Sequence, residues 1–145
     1  MTRSPAKRQT GVALLEALIG ILIFSIGILA LMGLQAQSIR NTVEAKYRNE
    51  AAYFANQLIG QMWVDRANLP AYDTTSGTNA NMVNWRAQVA QNLPGITVGG
   101  TNSPTVVVTG TAATGGQVAV TIFWKMPGAD SATRQLSVVA QINNS

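Results

Sequence analysis

The stretch VALLEALIGILIFSIGILALMGL, residues 12–34, decides how this chain is organised, because it carries a single charge, Glu16, in 23 positions. As an α-helix it would rise about 1.5 Å per residue and span roughly 34 Å, more than the ~30 Å hydrocarbon core of a bilayer. Its leucine, isoleucine and alanine residues also favour helix. We therefore predict a transmembrane helix over residues 12–34.

The segment before this run is basic and is compatible with several kinds of signal. A cleaved secretory signal starts this way, but its apolar core is only about 7–15 residues long and small residues precede the cut. Here the run is longer, and GLQAQS, residues 33–38, is a poor cleavage site. An uncleaved signal anchor explains the length and the basic flank. It leaves Glu16 unexplained, because a carboxylate within a membrane helix is costly and by default functional.

A third interpretation gives Glu16 a partner. If the chain is cut between Gly11 and Val12, the new α-amine on Val12 has a pKa near 8 and is largely cationic at neutral pH. When such helices stack with a slight axial offset, the amine of one helix can face Glu16 of its neighbour. At low dielectric this attraction is strong, and it selects one register although desolvation offsets much of the gain. Glu16 would then direct assembly.

The stretch KRQTG-VALLE, residues 7–16, resembles the class III signal of type IV prepilins, with a basic leader, Gly before the cut and Glu as the fifth mature residue. As in that family, the long apolar helix follows at once. The resemblance implies that prepilin peptidase removes leader residues 1–11 by cutting after Gly11 on the cytoplasmic face. It also implies that the same enzyme N-methylates Val12 and that Glu16 is the assembly carboxylate. Most members have Phe where this chain has Val12, although minor pilins and pseudopilins tolerate other residues there.

The helical pattern continues beyond the apolar run, and no Pro occurs between residues 6 and 69. We predict one helix from about residue 13 to 66, with NLP at 68–70 as its stop, because the residue before Pro avoids the α region. Its second half, residues 35–66, is amphipathic, with steps of three or four residues that are typical of one buried stripe. The stripe comprises Ile39, Val43, Tyr47, Ala51, Phe54, Leu58 and Met62.

Residues 67–145 complete a globular domain with residues 35–66. We predict a polar loop over 67–81, a short helix over 82–93, and three or four antiparallel strands drawn from 96–98, 105–109, 117–126 and 134–142. The alternation in the last two strands gives one apolar face, which we expect to pack on the stripe. The fold class is therefore α+β, with a long N-terminal helix, half membrane-spanning and half amphipathic, on a small antiparallel sheet.

This predicted arrangement resembles the architecture of pilins. The pair VAVTIFWKM (118–126) and RQLSVVAQI (134–142) is also similar to the C-terminal hairpin of PilV minor pilins.

Composition excludes several kinds of site. The chain has no Cys and no His, which removes thiol nucleophiles, disulfides and the usual zinc or haem ligands. The net charge of +4 is concentrated in Arg3, Lys7 and Arg8, and no basic stripe follows, so we expect no nucleic-acid binding. We expect no enzyme activity, no cofactor and no metal.

Two groups of polar or aromatic residues have simpler structural roles. Asp73 and Asp130 lie in turn sequences and should act as local hydrogen-bond acceptors. Among the tryptophans, Trp85 is the best candidate for a partner interface, although core burial is the more common role for such a residue.

The resemblance implies a minor pilin, inserted as a single pass in the bacterial inner membrane and then built into a cell-surface type IV pilus. Its partners would be other minor and major pilins through the N-terminal helix, prepilin peptidase, and the inner-membrane pilus assembly platform. It would prime assembly within a minor-pilin complex and support adhesion and twitching motility. The alternatives are a minor pseudopilin of type II secretion and a single-pass periplasmic binding protein that never polymerises.

Overall fold

The computed structural model describes residues 10–75, 79–111, 115–128 and 132–143. Two helices, α1 and α2, and three strands, β1 to β3, form in these ranges, with a 3-10 helix between the two α-helices. Their bounds are α1 Thr10–Val64, the 3-10 helix Arg66–Tyr72, α2 Ala80–Asn92, β1 Thr105–Thr111, β2 Gly115–Lys125 and β3 Thr133–Ile142. The chain divides into two units, residues 1–42 and 43–145.

Helix α1 is continuous over 55 residues, as the sequence predicts, and it contributes to both units. It ends at Val64, before the predicted stop, because Asp65 leaves the helical region with φ −106° and ψ 45°. In the first unit every described side chain of α1 from Gly11 onward is exposed. Ile39 belongs to this part and is 64% exposed, so it is not a member of the buried stripe.

The core of the second unit lies between α1 and the sheet. Ala51, Leu58 and Met62 of α1 have no exposed surface, and Phe54 is nearly buried. From the sheet, the fully buried residues on the facing side are Val106, Val118, Val120, Ile122 and Ile142. The α+β fold with the long helix packed on a small antiparallel sheet is thus confirmed.

The sheet has the order β1-β2-β3 in the described residues, with both neighbouring pairs antiparallel. Its central register aligns Val106 with Val120 and Val120 with Val138. The predicted alternation in β2 is confirmed, because buried and part-exposed residues alternate from Gln117 to Lys125.

The strand predicted at residues 96–98 is wrong. Gly95 and Gly99 flank this segment with φ of 76° and 79°, left-handed values that interrupt an extended ladder. Among the described residues, the link to the sheet comes from Pro94, which precedes this segment. Its carbonyl oxygen accepts a hydrogen bond from Lys125 N at 2.9 Å. A Cβ at Gly95 would lie 2.7 Å from the Cβ of Lys125, so this close approach also requires glycine.

The polar loop predicted over 67–81 is wrong at its start, where the 3-10 helix buries Leu69 and Tyr72. Pro70 lies inside this helix and does not terminate α1. The Tyr72 hydroxyl donates to Asp65 Oδ2 at 3.0 Å. Burial raises the pKa of Tyr72 above its ordinary value of 10.0. Aromatic and aliphatic burial therefore ties this connection to the core.

Trp85, at the centre of α2, is a core residue. Its side chain is 2% exposed and its Nε1 donates to the carbonyl oxygen of Phe54 at 2.9 Å. Of the two roles considered for Trp85, core burial, the more common one, is confirmed, and it holds α2 against α1. The helix begins with a side-chain cap, in which Asn79 Oδ1 accepts from Asn81 N at 2.8 Å.

Asp73 closes the outer edge of β1. Its carboxylate accepts from Val108 N at 2.9 Å, from Thr75 N at 2.8 Å, and from the Thr75 hydroxyl. Beside it, Thr74 N donates to Val106 O at 2.9 Å, and Val106 N donates to Thr74 Oγ1 at 3.2 Å. Asp73 is therefore an acceptor in a turn, as predicted, and it also bonds to a strand 35 residues away. Asp130 lies outside the described residues.

We expect Asp73→Ala to lower the free energy of unfolding of the second unit by about 1–3 kcal/mol, because it leaves the Val108 and Thr75 amides without their acceptor. Denaturant unfolding followed by tryptophan fluorescence measures this change. Thr105→Ala, at an exposed position of the same strand, is the matched control and should change stability by less than about 0.5 kcal/mol. Equal stability of the Asp73 variant and the wild type would contradict the closing role.

Candidate functional site

Gly11, Val12 and Glu16 lie in the first two turns of α1. Because Val12 and Glu16 are four residues apart on a helix, they share a side and are separated by about 6 Å along the axis. The structure therefore places the predicted cleavage position and the predicted assembly carboxylate on adjacent turns. All three residues are exposed.

Glu16 is a carboxylate on an otherwise apolar helix surface. Val12, Leu15 and Ile19 surround it at helical spacing, and Val12 is 64% exposed. In the described part of the chain, Glu16 makes no ion pair and no side-chain hydrogen bond. The nearest charged residue that follows it in the sequence is Arg40. Any counter-charge for Glu16 must therefore come from its own N-terminal segment or from another molecule.

The glycine at position 11 has no steric cause in this structure. A Cβ built there meets no atom within 4 Å, and the backbone is ordinary helix. Glycine in a helix costs about 1 kcal/mol relative to Ala, so a purely structural position would not favour it. Gly20, which is equally open, provides a comparison site on the same helix.

The surface around this site is apolar along the whole of residues 12–34. By length and composition, α1 is long and apolar enough to cross a membrane. A contiguous exposed apolar surface of this extent marks contact with lipid or with other helices. Its large exposed side chains include Leu14, Leu18, Leu22, Phe24, Ile26, Leu29 and Leu34.

Among the described residues, the start of α1 lacks the kind of side-chain group that holds a metal ion. Over the described ranges, no three His, Cys, Asp or Glu residues lie close enough together to hold a metal ion. Glu16 is also separated by an apolar run from the acidic residues of the second unit, which start at Glu44. The chemistry available at the start of α1 is charge pairing.

Two features of the second unit were not identified from the sequence. Glu44 Oε1 lies 3.6 Å from Arg134 Nη1 and so joins α1 to β3, although the two residues are 90 positions apart. The other feature is the outer edge of β3, where Ser137 and Val139 lie. Neither has a local sequence signal, because each depends on which strand becomes the last in the sheet.

No protein-family model matches this chain, and neither the curated proteins nor the solved structures include a significant match.

We expect the full chain to remain in the membrane fraction after alkaline extraction, and Ile23→Arg combined with Ile26→Arg to release most of it. Arginine at the centre of a membrane helix costs about 2.5–3.5 kcal/mol per residue, and the side chains at both positions are exposed. Immunoblotting of the pellet and supernatant measures the distribution. Ile39→Arg, outside the apolar run, is the control that should stay with the membrane. Retention of the double variant would argue against a spanning helix.

Proposed function

We propose that this protein is a minor pilin that prepilin peptidase processes and that is then incorporated into a type IV pilus. The observation that carries the proposal is Gly11, Val12 and Glu16 at the start of a helix whose apolar run, residues 12–34, is wholly exposed. The glycine has no steric cause, and the carboxylate has no partner among the described residues. Peptidase recognition would explain the glycine, and pairing with a neighbouring subunit would explain the carboxylate.

Processing supplies the positive counter-charge that Glu16 lacks. Cleavage after Gly11 leaves an α-amine on Val12, which stays basic after N-methylation and is cationic at neutral pH. The same cut makes Glu16 the fifth residue of the mature helix, close to the positive end of the helix dipole, where an anion is favourable. Processing therefore stabilises the carboxylate and creates its partner at the same end of the helix.

Pairing between subunits requires a defined axial offset. Because Val12 and Glu16 are about 6 Å apart along the axis, a neighbouring helix shifted by about that distance brings its amine level with Glu16. In a bundle of apolar side chains the low dielectric strengthens this attraction, while desolvation of both charges offsets part of it. The pair thus selects a register more than it adds stability.

Assembly also needs close packing of the helices that carry the pair. Gly20, Gly27 and Gly33 are open positions, at which a Cβ would meet no atom within 4 Å, and small residues let neighbouring helices approach. On transfer from lipid to a bundle, the apolar side chains of residues 12–34 exchange lipid contacts for helix contacts. The driving force is then packing and charge pairing, since both environments are apolar.

In this proposal the chain is first a single-pass protein of the bacterial inner membrane, with residues 43–145 in the periplasm, and later part of a cell-surface pilus. Its partners are prepilin peptidase, the inner-membrane assembly platform, and other minor and major pilins that it contacts through the N-terminal helix. On the sequence resemblance it is most similar to PilV minor pilins. It would prime assembly within a minor-pilin complex and support adhesion and twitching motility.

Mass spectrometry of the mature protein tests the processing step. We expect a chain that begins at Val12 and carries one additional methyl group. Gly11→Leu should block the cut without disturbing the fold, because the position is sterically open. Gly20→Leu makes the same change at an equally open glycine and should be cut normally. A wild-type chain that keeps residues 1–11 in cells with active peptidase would refute the proposal and favour a non-polymerising anchored protein.

We expect Glu16→Ala to be processed normally but to enter filaments at least about tenfold less, which corresponds to a loss of roughly 1.4 kcal/mol in the assembly equilibrium. The ratio of this protein in sheared filaments to that in membranes measures incorporation. Glu16→Gln should resemble Glu16→Ala, because it keeps the shape and removes the charge. Arg40→Ala, an exposed charge beyond the apolar run, is the control. Normal incorporation of both Glu16 variants would rule out the pairing.

A deletion strain separates the pilus from the type II secretion machine. Loss of surface filaments supports the minor-pilin proposal, whereas loss of protein secretion with intact filaments identifies a pseudopilin.

A further inference from the structure

The hydrogen bonds at the closed edge of β1 determine which residues of each strand bond to which neighbouring strand. We call this alternation the hydrogen-bond phase of the sheet. Val106 and Val108 direct their N–H groups away from β2, toward Thr74 and Asp73. In an antiparallel pair, opposed residues alternate between those that exchange both backbone bonds and those that exchange none. The residues in the pairs Val106–Val120 and Val108–Val118 therefore exchange no backbone hydrogen bonds with each other.

This phase determines which groups of β3 are free. Because Val118 and Val120 do not bond to β1, they direct their N–H and C=O groups to β3, opposite Ala140 and Val138. The alternate residues of β3 then point both backbone groups away from the sheet. These residues are Gln135, Ser137, Val139 and Gln141, and no strand lies beside them within the described ranges.

The open edge lacks the features that usually prevent strand pairing. Strand β3 is ten residues long and contains no Pro and no Lys. Its one charged side chain, Arg134, is paired with Glu44 of α1. A long, uncharged edge strand is a template for another strand.

The apolar cover over β3 is also incomplete. On the helix side of the sheet, Val120 and Ile122 of β2 are fully buried, whereas in β3 only Ile142 at the end is fully buried and Leu136, Val138 and Ala140 are partly buried. On the opposite side Val139 is 57% exposed. Free backbone groups and uncovered apolar surface thus coincide at one edge.

We propose that the outer edge of β3 is a docking site for an extended segment of a different protein, which adds to the sheet as a fourth strand. Such β-augmentation obtains affinity from backbone bonds and specificity from alternate side chains. The segment would present apolar residues toward Leu136 and Val138 on the helix side. On the other side it would carry uncharged residues, polar ones opposite Gln135, Ser137 and Gln141 and an apolar one beside Val139, which is exposed there with them.

A second copy of this chain is a poor occupant. Its β1 edge is closed by Asp73 and Thr74, so it can offer only its own β3. Antiparallel pairing of two β3 strands creates a two-fold axis through the sheet, and the α1 segments packed on the two sheets then run in opposite directions. Chains inserted in one membrane as proposed above enter it with the same orientation. This step rests on the proposed membrane insertion.

The test is site-specific photo-cross-linking of the full chain in the cells that produce it. A photo-reactive amino acid replaces Gln135, and peptide mass spectrometry identifies the residue to which it bonds. We expect an adduct with a different protein, in a segment where apolar and polar residues alternate. Ser137→Pro should lower the adduct yield at least about tenfold, because it removes one outward N–H and places a ring at the edge.

Two substitutions serve as controls. Ser137→Ala removes the same hydroxyl, which accepts from the Thr121 hydroxyl at 3.2 Å, but keeps the backbone N–H and should preserve the adduct. Val138→Pro removes a bond to β2 and should lower the melting temperature, whereas Ser137→Pro should not, because proline is tolerated where the N–H faces solvent. Val139→Pro is a second outward position and should behave as Ser137→Pro does.

Four results would overturn the proposal. They are an adduct between two copies of this chain, the absence of any adduct, an adduct yield unchanged by both outward prolines, and unfolding of both outward proline variants. The last would show that the assigned phase is wrong. The N-terminal mass of the same samples reports processing at Gly11 separately, so failure of the docking site and failure of the pilin proposal are distinguishable.

Discussion

The packing of one stripe of α1 against the sheet is the interaction on which the second unit depends. Ala51, Leu58 and Met62 are fully buried there, and they face the buried residues of β1 and β2. Burial of apolar side chains contributes about 25 cal/mol per Å² removed from water, so these contacts stabilise the second unit. The 3-10 helix and α2 add Tyr72 and Trp85 to the same core. The second unit therefore folds around a surface that belongs to the N-terminal helix.

The same helix has no such partner over residues 11–42, where every described side chain is exposed. The apolar side chains of α1 are thus buried in one half of the helix and exposed in the other. The exposed half needs an apolar environment from outside the chain, which a bilayer or a bundle of like helices supplies. If the chain is cut after Gly11 as proposed, Glu16 distinguishes these environments, because lipid offers no counter-charge and a bundle of such helices would offer one at each N-terminus. A carboxylate at this position is unfavourable in the first environment and useful in the second.

The fold was predictable from the sequence where apolar residues recur with one helical or strand period over many positions. The helix over 13–66 and the strands at 117–126 and 134–142 have such periods, and the structure confirms them within a few residues. Short β-branched runs carry less information, and the strand at 96–98 was wrong because its flanking glycines take left-handed backbone. Tyr72 and Leu69 were misread as loop, since their burial depends on distant residues.

The positions of Gly11, Val12 and Glu16 follow from helical spacing, whereas the Glu44–Arg134 pair and the open edge of β3 depend on tertiary contacts that no local pattern shows.

The closing of β1 by Asp73 and Thr74 has a consequence for solubility. Growth of a cross-β fibril requires each copy to accept a strand on one side and to offer one on the other, so that the ladder repeats without limit. This sheet has one sealed side, so copies that meet edge to edge stop at a pair. The turn of residues 73–75 therefore limits strand addition at β1, because the backbone groups of Val106 and the amide of Val108 already have partners there.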